Sequence, residues 1–268
     1  MATEMYRPYL AILSSRMQVL LQYRAAAFAG FVTQFFWGLM RVMIFAAFYA
    51  SSDAKMPMTL KETTIYIWLS QALFLMFPWN LDSDVARMVR TGNVAYEMVR
   101  PIDLYWLWFA RAIALRVAPV ALRSVPLFII AGLFFGLDKP HSSAALIVFL
   151  IAILFAILLS SAFTVLLNIF LFWTIAGDGI VRTATWLTFF LSGLIVPLPL
   201  FPDWSQKIMM FLPFKSMLDT PFRLYMGNIP VRDAPFLILQ QILWILFVII
   251  IGRLLLSKAM KRLVVQGG

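Results

Sequence analysis

The chain has 268 residues, 63% of them hydrophobic and 13% charged, with a mean hydropathy of +0.90; soluble domains sit nearer half apolar and a quarter charged, so this is the composition of an integral membrane protein. Zero Cys and one His, His141, exclude disulfides, thiolate chemistry and an imidazole metal or triad site. The net charge of +10 comes from 22 Lys and Arg scattered around apolar runs, a pattern of membrane topology rather than of nucleic-acid binding.

Arg7, Arg16 and Arg24 interrupt the first residues, and no compact apolar core with a small-residue site follows, so a cleavable signal is not expected. Residues 4–22 read as an amphipathic helix. Arg7, Ala11, Ser14, Gln18 and Gln22 share one face, and Leu10, Leu13, Met17, Leu20 and Leu21 share another. Such a helix lies in the cytoplasmic interface with its apolar side in the headgroup boundary, unless it merely extends the first span.

A spanning helix needs about 20 mostly apolar residues. Six candidates follow in order, at 25–50, 64–81, 104–137, 144–175, 184–200 and 236–256. They are helical because lipid leaves backbone groups no other partner. With the N-terminus inside, the inner segments carry eleven Lys and Arg (Arg7, Arg16, Arg24, Arg87, Arg90, Arg100, Arg182, Arg253, Lys258, Lys261, Arg262) and the outer segments seven, from Lys55 to Arg232. Both termini are therefore predicted to be cytoplasmic. No repeat, low-complexity tract or linker interrupts the chain, so residues 1–268 read as one transmembrane domain.

Between the second and third spans, RTGNVAYEMVRPID (residues 90–103) is charged and punctuated by Gly92 and Pro101. Pro lacks an N–H and pushes its predecessor out of the α region, so the sequence predicts a helix ending near Val99 and another starting at Pro101. Residues 84–100 admit two readings. One is a solvated loop with positive-inside arginines. The other is a docking helix, with Arg87, Arg90 and Arg100 meeting acidic groups of a partner while Val85, Met88, Val89 and Tyr96 pack in its groove. The mixed charge and the apolar face favour docking.

Arg111, Arg116 and Arg123 enter the third span beside Pro119 and Pro126, and Arg41 lies in the first. A charge deep in the bilayer costs at least about 2.5–3.5 kcal/mol. Arg111 and Arg116 are expected to be interfacial and snorkelling, whereas Arg41 and Arg123 should face a subunit interface or a pathway. Gln34, Gln71, Asn168, Gln240 and Gln241 are isolated amides in apolar spans, expected to join helices or to line a path. Asp178, between Gly177 and Gly179, reads as the turn between spans four and five.

Residues 202–227, before the last span, are too apolar for open water and too broken by proline to cross. The prediction is a re-entrant hairpin of two helices, 203–212 and 214–226, with Pro213 as its corner and Trp204 and Phe214 among its interfacial aromatics.

Six spans, an amphipathic N-terminal helix, a charged first inner loop and a helical outer hairpin resemble the membrane subunit of a type-2 ABC exporter. RTGNVAYEMVRPID is similar to the segment of six-span permeases without a fused ATPase, in which Arg-x-Gly leads to Arg-Pro. Gly193, Pro197, Phe201-Pro202, Trp204, Leu212-Pro213-Phe214, Pro221 and Gly227 match the family's outer-hairpin pattern. One departure is Val94-Ala95, where an acidic residue often follows the loop glycine. The resemblance implies an all-α permease that dimerises with a second copy or a homologous permease in the inner membrane of a bacterium. Two separate ATPase subunits would drive it, holding ATP and Mg²⁺, and cargo would leave by alternating access. It also implies that Arg87, Arg90, Gly92, Glu97, Arg100, Pro101 and Asp103 form the ATPase-coupling segment. Arg41, Arg123, Gln34, Gln71 and Asn168 would belong to the path or helix interface, and Trp204, Pro213 and Phe214 to an outer gate.

No G-x-x-x-x-G-K-[ST] occurs, so this chain is not expected to bind nucleotide, cofactor or metal itself, nor to be an enzyme. The apolar, aromatic spans suggest an amphipathic or lipid-like cargo, and membrane lipids as neighbours. Rival readings are an ion-coupled secondary transporter, disfavoured because no acid sits inside a span apart from Asp178 at a turn, a membrane enzyme, which lacks an acid–base set, and a non-transporting scaffold.

Overall fold

The computed structural model of the chain describes residues 2–52, 56–78, 81–174 and 178–261. Most of these are helical, with no strand among them, the fold of an all-α membrane protein. α1 spans Ala2–Leu21 and α2 spans Arg24–Ala50. α3 (Leu60–Ala72) opens with a reciprocal cap. Thr59 Oγ1 accepts from the Glu62 N–H at 3.2 Å, and Glu62 Oε2 accepts from the Thr59 N–H at 2.7 Å. Two short helices follow, α4 (Ser83–Arg90) and α5 (Val94–Met98), then the long α6 (Leu104–Phe134) and α7 (Ser143–Phe170). α8 is Asp178–Leu191, α9 Asp203–Met209, α10 Asp219–Met226 and α11 Ala234–Met260.

Four of these, α2, α6, α7 and α11, are long and apolar enough to cross a membrane. The segments expected as the second and fifth spans are shorter. α3 has 13 residues and α8 has 14, about 20 Å of helix against a hydrocarbon core of about 30 Å. Each continues as a turn of 3₁₀ helix, Phe74–Met76 after α3 and Leu198–Leu200 beyond α8. Asp178 is the first described residue of α8, and the rest of the turn expected around it, with Gly177, lies outside the described residues, as does Arg262.

α6 and α7 form the centre. α11 and α10 pack on α7, α1 runs along α6, and α2 and α3 pair with each other and with α6. Because lipid is as apolar as the side chains it meets, close packing and hydrogen bonds hold such helices together. The Phe35 ring lies 5.8 Å from Trp68 and 5.2 Å from Phe135, and Trp68 Nε1 donates to the Phe135 carbonyl at 2.8 Å, so α2, α3 and the end of α6 interlock. Gln241 on α11 is buried and donates to the carbonyls of Ala152 and Ser216 at 3.0 and 2.8 Å, and Gln240 donates to Met210 at 3.0 Å. These two amides join elements, as expected for isolated amides in apolar spans.

The start of the third span differs from the sequence reading. α6 begins at Leu104, not at Pro101, because Asp103 accepts from the Trp106 N–H at 3.2 Å and supplies the cap that proline cannot. Pro119 and Pro126 lie inside α6 without ending it. In the hairpin, α9 stops at Met209. Past Pro213 the chain makes a 3₁₀ turn, Phe214–Met217, so the second α-helix starts at Asp219 rather than at residue 214. α10 is largely buried against α7, with Phe222 and Leu224 fully enclosed. It ends at Gly227, whose φ of 80° and closeness to His141 leave no room for a side chain.

Candidate functional site

The segment between α3 and α6 is built on a charge cluster that sequence reasoning passed over. Asp82 is 2% exposed and caps α4 by accepting from the N–H groups of Asp84 and Val85 at 3.0 and 3.3 Å. Arg111 on α6 grips the same carboxylate at both oxygens, at 2.7 and 3.0 Å, and reaches Asp84 at 3.2 Å. Arg16 on α1 bonds Asp84 and lies 3.6 Å from Asp82, and Arg87 meets Asp84 at 2.9 Å. Burial disfavours the Asp84 carboxylate, but the Arg16 hydrogen bond and the charges of Arg16, Arg111 and Arg87 outweigh it and hold the group below the usual carboxylate range. α1, α4 and α6 are thus one mechanical unit. The signal in the sequence is the Asp82-x-Asp84 pair at the start of an arginine-rich helix.

Arg111 is therefore not snorkelling. It is committed to carboxylates inside the protein. Arg116 is likewise interior, 2% exposed and bonded to Thr164 of α7. Both differences have one cause: neighbouring elements supply partners for the guanidiniums within the protein.

Within the segment, Gly92 at φ 74° turns the chain between α4 and α5. Val85 and Val94 are fully buried in the protein's own core, so neither is free to pack against a partner. Glu97 also turns inward, accepting from Trp108 Nε1 at 3.3 Å with Arg100 at 3.8 Å. Asp103 pairs with Arg253 of α11 at 3.0 Å, and its N–H donates to Tyr9 Oη at 2.9 Å. Exposed on the surface are Arg87, Arg90, Arg100 and Pro101, together with Tyr96 and Val99, which are 73% and 82% exposed.

Arg41, Gln34 and Gln71 come together on α2 and α3. Arg41 donates to Ser70 Oγ at 2.9 Å and to the Ile195 carbonyl at 3.1 Å, linking α2, α3 and the chain beyond α8. With the Gln71 amide oriented to satisfy its neighbours, its nitrogen donates to the main-chain carbonyl of Gln34 at 3.2 Å and its oxygen accepts from Arg41 at 3.1 Å. All three line a cavity of about 580 Å³ whose remaining wall is largely apolar, including Trp37, Met40 and Phe189. The Gln34 side chain is only 6% exposed, yet neither end of its amide has a partner among the described residues. Asn168 is not part of this group; it is buried within α7.

In the hairpin, Trp204 is exposed, Pro213 is buried, and the Phe214 ring lies 5.6 Å from Phe163 of α7. Asp219, at the start of α10, is fully buried beside Tyr66 (3.4 Å) and Arg223 (3.8 Å). Among the described residues no group of three or more His, Cys, Asp or Glu is placed to hold a metal ion.

A family model described as ABC-2 family transporter protein matches residues 30–267. No curated protein matches the chain.

Proposed function

This chain belongs to the ABC-2 transporter family as the permease subunit of an ABC transporter, and from that premise we propose that it pairs with a second permease to export an amphipathic or lipid-like substrate by alternating access. The observation that carries the reading is the cavity holding Arg41, Gln71 and the unpartnered Gln34 amide. A buried polar group left unsatisfied is costly, so its persistence points to a partner or cargo that satisfies it. The same side of α2 exposes Phe36, Trp37, Met40, Met43 and Ile44, and α8 exposes Trp186, Leu187 and Phe190. Two such faces meeting across a dimer axis would enclose an apolar path with a few polar groups, which suits an amphipathic cargo.

α4 and α5 are the coupling segment in this reading, presenting Arg87, Arg90 and Arg100 to acidic groups on ATPase subunits, two per complex, which hold ATP and Mg²⁺. Movement there passes through the Asp82–Arg111 contact to α6 and through Asp84–Arg16 to α1. The whole chain acts as one permease domain in a bacterial inner membrane, with both termini cytoplasmic. α3 and α8, continued by their 3₁₀ turns, complete six crossings as broken helices, and the 202–227 hairpin closes the outer end. The absence of Asp or Glu from α2, α6, α7 and α11 supports ATP rather than an ion gradient as the energy source.

Because the chain has no Cys, single cysteines report the dimer directly. Trp37→Cys and Met43→Cys in the full-length protein should give disulfide-linked dimers in membranes, and Leu254→Cys on the exposed side of α11 should not. Cross-linking through α11 and none through α2 would overturn the arrangement.

A further inference from the structure

A second cavity, of about 790 Å³, lies between α4 and α6 and is separate from the α2–α3 cavity. Four arginines line it. Arg87 and Arg90 stand at its exposed rim on α4; Arg116 and Arg123 come from α6. Arg116, Pro119 and Arg123 follow at i, i+3 and i+7, so one face of α6 carries both arginines, their α-carbons about 10 Å apart along the axis. Leu75, Leu81 and Leu115 provide an apolar wall, and no carboxylate is among the lining residues.

The arginines are held in place from behind. Arg116 bonds Thr164 of α7, and Arg87 is braced by Asp84. The Arg123 guanidinium rests on α2 where Gly30 lacks a side chain, and a Cβ at residue 30 would collide with it. Its Nη2 lies 3.5 Å from the Ala26 carbonyl, and its buried Nε has no partner among the described residues. The Arg123 guanidinium offers five donors, more than its Ala26 contact uses. Charged side chains gathered around a cavity of a helix bundle mark a ligand site.

We propose that this cavity binds an amphiphile bearing a phosphate headgroup, taken from the inner leaflet. Guanidiniums match phosphate oxygens in paired hydrogen bonds, and basic pockets on the cytoplasmic side of helix bundles hold anionic lipid heads. The leucine wall accepts the first carbons of the tail, and the volume exceeds what a bare phosphate fills. This deepens the transport reading by naming the charged end of the amphiphile, and it rests on that reading for the cavity's orientation toward the cytoplasm.

The test is equilibrium binding to the full-length chain in neutral detergent, with short-chain phosphatidic acid as probe and diacylglycerol of the same chain length and inorganic phosphate as comparators. It needs neither ATPase nor transport, so the site and the permease function can fail independently. Phosphatidic acid should bind, and Arg123→Gln should weaken it by about tenfold or more. Arg123→Lys, which keeps the charge but not the paired donors, should bind with an affinity between those of wild type and Arg123→Gln, which separates loss of charge from loss of fold. Arg232→Gln, at an exposed position outside the cavity, should bind as wild type. Equal binding by wild type and Arg123→Gln, or equal binding of diacylglycerol and phosphatidic acid, would overturn the proposal. Inorganic phosphate binding as tightly as phosphatidic acid would overturn the assignment to a lipid-borne phosphate.

Discussion

Asp82→Ala removes two things at once. It deletes the cap that satisfies the first N–H groups of α4, a loss of about 1 kcal/mol. It also strips Arg111, whose side chain is 14% exposed, of its two-oxygen partner. Breaking a buried pair by removing one member costs roughly 3–5 kcal/mol. Asp84 still reaches Arg111 at 3.2 Å, which places the second loss near the low end, so the whole comes to about 4 kcal/mol. Asp84→Ala should cost far less, about 1 kcal/mol, since that carboxylate is 31% exposed and screened by solvent. Thermal unfolding followed by tryptophan fluorescence in detergent separates the two. At about 2–4 °C per kcal/mol for a chain of this size, Asp82→Ala should melt about 10 °C lower and Asp84→Ala only about 3 °C lower. Asp82→Asn, which keeps a cap acceptor but not the charge, should fall between them. Equal shifts for the two alanine variants, or an Asp82→Ala protein melting with wild type, would refute the view that Asp82 is the anchor of α4.

Arg41→Ala removes the link between Ser70, Gln71 and Ile195, and transport should drop by about tenfold while the amount of assembled complex, measured by size-exclusion chromatography, stays unchanged. Pro213→Ala, in the buried corner of the hairpin, should alter transport more than ATPase association, because the coupling segment is built from other elements; lost association with normal transport would contradict the outer-gate role. The lowered Asp84 carboxyl sets a pH window. Its ionic contribution is fully present above the unfolded value near 3.8 and is lost as pH falls through the lower folded value, so the stability gap between wild type and Asp84→Asn should close below about pH 4 and stay constant from pH 5 to 8.

Much of this arrangement was legible in the sequence because its signals are local. Apolar length placed α2, α6, α7 and α11, and the prolines of residues 197–230 foretold a broken hairpin. Glycine at 92 marked the break between α4 and α5. What the sequence concealed depended on contacts between distant elements. Nothing near Arg111 or Arg116 indicates that Asp82 and Thr164, from other helices, would hold them inside. Val85 looks like part of an outward apolar stripe until α4 is seen lying on its own core. Asp103 displaced Pro101 as the start of α6 because a side-chain cap satisfies backbone donors, whereas proline only tolerates their absence.

The claim that this permease is coupled through α4 and α5 to a separate ATPase is tested most directly by affinity purification of the full-length chain from its native membranes, with ATP hydrolysis assayed in the eluate. The account predicts an ATPase polypeptide carrying a phosphate-binding loop, in equimolar amount, and its loss or uncoupling in Arg90→Glu and Arg100→Glu. A wild-type eluate with no ATPase, or charge-reversed variants that retain both association and ATP-driven transport, would contradict it.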